Sequence, residues 1–240
     1  MIKKLSERIY YMPHNGDTDR PILGYIKGDK YSLMVDAGNS KEHVNLFLEE
    51  LAKLGLTYPN FVVLTHSHWD HTYGLCGLNS LSIACNKTNE HLKVMKDWEW
   101  TDSAMQKRIE NKEDIEFCDT MIKKEYADRS QICIKTVDVV FEDKLSINLG
   151  NVQCEFVRLE SSHADDCVVI NVPDEKTIFI GDIICEDLHY KEPVYYKDKL
   201  NSLINDFISI DFETALFGHL EPLTKKEVLD ILNNEDAIVI

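Results

Sequence analysis

Four potential metal ligands fall within six residues of this chain, and no other stretch constrains it as tightly. Thr65-His-Ser-His-Trp-Asp-His71 carries the pattern His-X-His-X-Asp-His, with His66, His68, Asp70 and His71 as the ligand-type side chains. The residues before it, Phe61-Val-Val-Leu64, form a short apolar run with a β-branched centre. That pattern predicts a buried strand, so the histidine-rich loop sits at a strand's C-terminal end. In extended backbone alternate residues share a face. His66 and His68 can therefore converge on one ion while the turn that follows re-aims Asp70 and His71 toward another. The competing reading, a solvated polar turn, gives no reason for this set of residue types at this spacing.

Composition limits what such a loop can serve. The 240 residues are 44% hydrophobic and 28% charged, enough to bury a core, and the chain reads as one domain over 1–240. Lys and Arg total 26 against 42 Asp and Glu, a formal net charge of −16, so phosphate-rich partners meet a repulsive average field and no nucleic-acid partner is expected. Met1 to Tyr11 lacks the unbroken apolar stretch of a signal peptide, and no run approaches the roughly 18 apolar residues of a spanning helix. No membrane association is expected. The seven cysteines, at 76, 85, 118, 133, 154, 167 and 185, are odd in number and lack CxxC spacing. They read as free thiols in a reducing cytosol, giving a cytoplasmic expectation.

Along the chain, Pro21–Lys27 and Tyr31–Val35 read as strands joined by a Gly28-Asp29 turn. Asp36-Ala-Gly-Asn-Ser40 ends the second. Ser40 can cap a helix whose Val44, Phe47, Leu48, Leu51 and Leu54 share a face, with Gly55 as its stop. Leu81–Cys85 reads as a further strand. From Asn86 to Arg129 the sequence is densely charged, with sparse apolar residues at helical spacing such as Leu92, Met95 and Trp98, which predicts a helical insertion at about 86–130. Strand patterns return over 132–134, 137–141, 145–149, 152–159, 168–172 and 177–180. Helices follow over 200–210 and 224–233, with a short strand at 215–217 between them. No internal repeat or low-complexity linker is present.

The motif, with three single residues placed later beyond strand-like runs, resembles the metallo-β-lactamase fold superfamily across most of the chain. Those residues are His163 in Ser161-Ser-His-Ala-Asp-Asp166, Asp182 in Phe179-Ile-Gly-Asp182 and His219 in Leu216-Phe-Gly-His219. The resemblance implies that His66, His68 and His163 hold one metal, that Asp70, His71 and His219 hold a second, and that Asp182 bridges them. Imidazole and carboxylate ligands without thiolate suit Zn²⁺, two per chain, with Mn²⁺ or iron as the alternatives. Two such ions can share a water and depress its pKa toward neutrality. No serine or cysteine nucleophile is then needed. Asp70 and Asp182 are the expected catalytic carboxylates, and Asp36 matches a position whose carboxylate supports the ligand histidines. The competing role for Asp36 is that of a strand-end turn residue.

The fold the resemblance implies is an α/β, four-layer αββα sandwich of two mixed β-sheets flanked by helices, with the ligands in loops along one edge. The expected activity is metal-dependent hydrolysis of a small-molecule ester, thioester, lactone or amide. A small phosphodiester is the runner-up substrate, and a mononuclear iron persulfide oxygenase is the rival chemistry. Many secreted β-lactamases of the superfamily carry cysteine where Asp182 stands. Quorum-sensing lactonases usually place a tyrosine shortly after the bridging aspartate, where this chain reads Ile183-Ile-Cys-Glu186. Glyoxalase II carries a C-terminal domain that the short stretch after His219 does not match. The tRNA-processing nucleases use a basic arm that this acidic chain lacks.

Several other residues stand outside the ligand set. Asp165 and Asp166 are either acceptors behind the ligands or a solvated turn. Trp98 and Trp100 belong to a lid over the metals, to core packing or to a homodimer contact. Tyr190, Tyr195 and Tyr196 follow Asp182 on a loop where packing is the expectation. His14, His43, His91 and His189 fit no ligand pattern and read as surface or helix-face residues.

Overall fold

The computed structural model describes residues 1–234 and 236–240. The first half of the chain runs β1 (Lys3–Lys4), β2 (Ile9–Met12), β3 (Leu23–Lys27), β4 (Ser32–Val35), α1 (Lys41–Lys53), β5 (Phe61–Val63), α2 (Trp69–Thr72), β6 (Leu81–Cys85), α3 (Asn86–Met95), α4 (Asp102–Glu110), α5 (Glu116–Glu125) and β7 (Val139–Phe141). These seven strands form one sheet in sequence order, antiparallel through β4 and parallel from β4 to β7. The second half runs β8 (Lys144–Asn148), β9 (Gln153–Arg158), β10 (Val168–Val172), β11 (Thr177–Gly181), α6 (Lys197–Ser209), β12 (Thr214–Phe217), β13 (Leu223–Thr224) and α7 (Lys225–Leu232). Its six strands pair in the order β13-β12-β11-β10-β9-β8, with β11 and β12 parallel and the rest antiparallel.

Strand alternation divides the core into three seams and so produces four layers. Leu33, Val35, Val63 and Ile83 face Phe156, Val168, Ile170 and Phe179 between the sheets. Their neighbours Met34, Val62 and Ala84 point the other way, against Val44, Phe47 and Leu51 of α1 and Leu92 and Met95 of α3. On the far side Val169, Ile178 and Ile180 meet Leu203 and Phe207 of α6 and Val228 and Leu232 of α7. The helices begin where local chemistry lets them. Ser40 Oγ accepts the His43 amide at the start of α1, and Thr224 with Glu227 forms a reciprocal cap on α7.

Two sequence expectations fail here. Ile132–Ile134 forms no strand. Its apolar side chains pack on the outer face of the first sheet, so tertiary contact rather than a ladder satisfies the alternation. The cysteines are not all free: Cys76 and Cys133, 57 residues apart, form a disulfide that ties the turn after α2 to the end of the helical segment. Cys85, Cys118, Cys154, Cys167 and Cys185 remain thiols. A disulfide removes the premise on which the reducing-compartment expectation rested. Among the described residues no helix is long and apolar enough to cross a membrane.

Candidate metal centre

The C-terminal ends of β4, β5, β9, β11 and β12 come together on one edge of the sandwich, and the candidate ligands stand on the loops that leave β5, β9, β11 and β12. The Val168 amide donates to Thr65 O at 2.7 Å, which stitches the His66–His71 loop of one sheet to β10 of the other. The Ala37 amide donates to His71 O at 2.8 Å and holds the far end of that loop.

All seven residues singled out from the sequence lie in two adjoining groups. His66, His68 and His163 present ligand atoms within 4.8 Å of one another, and so do Asp70, His71, Asp182 and His219. Asp182 touches both groups: its Oδ2 is 3.9 Å from His163 Nε2, 3.5 Å from His71 Nε2 and 3.2 Å from His219 Nε2. His219 Nε2 also lies 3.1 Å from Asp70 Oδ2.

Asp36 does what its supporting role requires. Its φ of +61° is a left-handed conformation that aspartate tolerates, and it turns the carboxylate inward. Oδ1 accepts the Thr65 amide at 2.7 Å, and Oδ2 accepts the Thr65 hydroxyl at 2.9 Å and His71 Nδ1 at 2.7 Å. With Nδ1 committed to Asp36, Nε2 is the His71 atom turned toward the acidic group. Thr65 Oγ1 lies 3.0 Å from His66 Nδ1, an arrangement that leaves His66 Nε2 free in the same way.

The electrostatics of the two groups are opposite. Burial pushes the His66 pKa well down, helped by His71 and His68. Burial also carries His68 to about 3, helped by His163, and lowers His163 against the pull of Asp182. These imidazoles are therefore neutral at neutral pH, with lone pairs on nitrogen. In the acidic group burial opposes ionisation but loses. Asp70, Asp36 and Asp182 hold His71 well above its usual value, and Asp182 and Asp70 bring His219 to about 11. Asp182 is held well below the usual carboxylate range by His219 and His71, which outweigh its burial.

The donor set fits divalent metal. His66 Nε2, His71 Nε2, both ring nitrogens of His163 and Asp182 Oδ1 are buried without a hydrogen-bond partner. Orphaned atoms of this kind, converging at ligand-to-ligand spacing, are expected where an ion supplies the missing interaction.

Other contributors carried no sequence signal. Asp19 Oδ1 lies 3.5 Å from His219 Nδ1, and burial, with Asp70 next, raises its pKa to about 7. Gly218 is required by proximity: a Cβ there would lie 2.0 Å from Asp182 Oδ1 and 3.1 Å from His71 Cε1. Gly181, at φ +47°, would carry a Cβ 2.6 Å from Thr65 Oγ1. His43 is buried on the inner face of α1 rather than exposed, and burial takes it to about 3. Tyr195 donates its hydroxyl to Ile184 O and serves packing, whereas Tyr196 donates to Asp187 Oδ2 beside the cavity described next.

A cavity of about 470 Å³ opens beside His68 and His163. Trp69 and Tyr73 floor it, and the helical segment walls it with Met95, Trp98 and Ile115. Trp98 therefore lines the cavity. Trp100 stacks edge-on to Tyr73, and Arg108 lies between the two indoles, 4.5 Å from the Trp98 ring and 4.7 Å from that of Trp100.

The model of the metallo-beta-lactamase superfamily matches residues 24–219, from β3 to the last candidate ligand. With fold and match in agreement, the chain belongs to the metallo-beta-lactamase superfamily. Its fold is similar to a metallo-beta-lactamase from Pontibacter korlensis, with 16% identity, TM-score 0.63 and 98% and 99% of the two chains covered. It is similar to a metallo-beta-lactamase family protein from Thermus thermophilus, with 18% identity, TM-score 0.67 and 95% and 78% covered. It is also similar to the inverting sec-alkylsulfatase Pisa1 from Pseudomonas sp., with 14% identity and TM-score 0.70, over 96% of this chain and 40% of that one. At these identities the likeness is one of fold. A comparison with curated proteins returns no match to this sequence.

Proposed function

We propose that the chain is a dinuclear zinc hydrolase acting on a small-molecule ester, thioester, lactone or amide with an apolar substituent. The observation that carries this reading is the pair of adjoining ligand groups with buried, unpartnered ligand atoms, His66 Nε2, His163, His71 Nε2 and Asp182 Oδ1, the first group bordering a largely apolar cavity through His68 and His163. His66, His68 and His163 would hold one ion, and Asp70, His71 and His219 the other, with Asp182 between them. Bound zinc supplies an acidified water as nucleophile and positive charge for the developing oxyanion.

The protein's own residues supply the rest. Asp36 and Thr65 orient His71 and His66 so that no ligand must be reoriented when substrate arrives. Asp70 and Asp182 remain ionised at neutral pH because His219 and His71 lie against them. Trp69, Tyr73 and Met95 exclude water from one side of the reacting bond and receive the substrate's apolar part.

Elemental mass spectrometry of protein purified without added metal tests the reading, alongside His68→Ala and Asp182→Ala. The expected result is close to two zinc ions per chain, lowered in both variants, with hydrolysis in a screen of ester, lactone, thioester and amide substrates. About one iron per chain with no hydrolysis would overturn it in favour of oxygenase chemistry.

A further inference from the structure

A third group of ligand-type side chains lies on the same cavity but outside the two groups above. His91, Asp165 and Asp166 present one ligand atom each, all within 4.8 Å of one another. His91 stands on α3, and the two aspartates follow His163 on the loop into β10. His91 Nε2 is 2.8 Å from Asp165 Oδ1, and Lys87, one turn earlier on α3, places its Nζ 2.9 Å from Asp165 Oδ2.

Asp165 and His91 alone would be an ordinary surface ion pair, half exposed and of little energetic weight. Asp166 is different. It is wholly buried, and neither carboxylate oxygen makes a hydrogen bond of normal length, although the Thr88 and Ser67 hydroxyls lie close enough to favour its ionised form. A buried carboxylate in that state costs several kcal/mol as an ion unless a cation is brought to it. Lys87 is engaged by the other aspartate, and His91 is the nearest titratable base. One carboxylate oxygen of Asp166 lies within 4.8 Å of the ligand atoms of His91 and Asp165, so it borders the space that those two side chains share.

We infer that His91, Asp165 and Asp166 form an accessory divalent-cation site on the wall of the cavity, separate from the paired ligand groups. One imidazole and two carboxylates suit Zn²⁺ and leave a fourth position for water or a substrate oxygen. The ion neutralises Asp166 and places positive charge on the wall that His68 and His163 also line. Lys87 competes for Asp165, and the half-exposed ligands make the site weaker than a closed structural one.

The test is equilibrium dialysis of metal-depleted protein against graded zinc, with bound metal counted by elemental mass spectrometry, for wild type, His91→Ala and Lys87→Ala. Both exchanged side chains are about half exposed, and circular dichroism and Tm verify that the variants fold. Wild type is expected to bind one ion per chain more than His91→Ala. Lys87→Ala should bind that ion about threefold more tightly, because a competing surface charge is gone. Equal counts in wild type and His91→Ala overturn the inference, as does an extra ion whose affinity Lys87→Ala leaves unchanged. The readout is a difference, so it is separable from the dinuclear reading. A difference of one with a single ion left in His91→Ala would uphold this site and defeat that reading. A full pair in both proteins would do the reverse.

Discussion

The strand-end ledge and the helical wall that faces it across the cavity are built on different principles. On the ledge nearly every important side chain is fixed by backbone geometry and short hydrogen bonds: Asp36 grips Thr65 and His71, and Gly218 admits Asp182 where any Cβ would collide with it. The wall is attached from outside. Cys76–Cys133 pins its end, Arg20 and Ser40 both engage Glu125 on α5, and Arg108 sits between Trp98 and Trp100. The difference teaches that the ledge fixes the chemistry to fractions of an ångström, whereas the wall needs only to stay in place and can change its lining without disturbing the ligands.

Gly218→Ala should break the ledge most severely. Displacing Asp182 is expected to weaken metal binding about a hundredfold, seen in zinc content per chain, while far-ultraviolet circular dichroism stays native. Asp36→Asn should act more gently. It keeps the volume but weakens the acceptor for His71 Nδ1, costing about tenfold in metal affinity by competition with a chromophoric chelator.

The wall should respond in stability rather than in metal content. Reducing Cys76–Cys133, or replacing both residues with serine, is expected to lower unfolding free energy by about 3 kcal/mol in denaturant titration with the ligand groups intact. Equal loss of metal affinity in that variant would erase the distinction between the two regions. Glu125 gives the smallest effect, about 1 kcal/mol, and a signed pH dependence. Burial raises its pKa, but Arg20, Ser40 and Thr18 bring it below the ordinary 4.5. A depressed folded-state pKa stabilises fully above the unfolded value, and the contribution fades as pH falls below about 4.5. Glu125→Gln should flatten that part of the stability profile, as thermal melts between neutral and acid pH would record.

These two regions were also unequally legible. His66, His68, Asp70 and His71 are close in sequence, so their spacing alone reports a shared site, and strand-like runs before His163, Asp182 and His219 marked them as strand-end residues. Asp19 and the need for glycine at 218 arise only when the two sheets meet, and no local pattern encodes that meeting. On the wall, the spacing of Leu92, Met95 and Ile122 revealed helices but not what they cover. Cys76 and Cys133 are brought together by the docking of α3–α5, which their separation of 57 residues conceals. Ile132–Ile134 shows the same limit, since alternation describes burial on two sides and does not name the partner.

The ligands come from both sheets, His66 to His71 from one and His163, Asp182 and His219 from the other. Any ion they hold is thus a clasp across the sandwich as well as a reagent. By mass action its binding energy becomes folding energy, about 2.7 kcal/mol at a hundred times the dissociation constant. The melting temperature of this protein would then read out the free metal around it, and a cell starved of that metal would hold less of the folded chain.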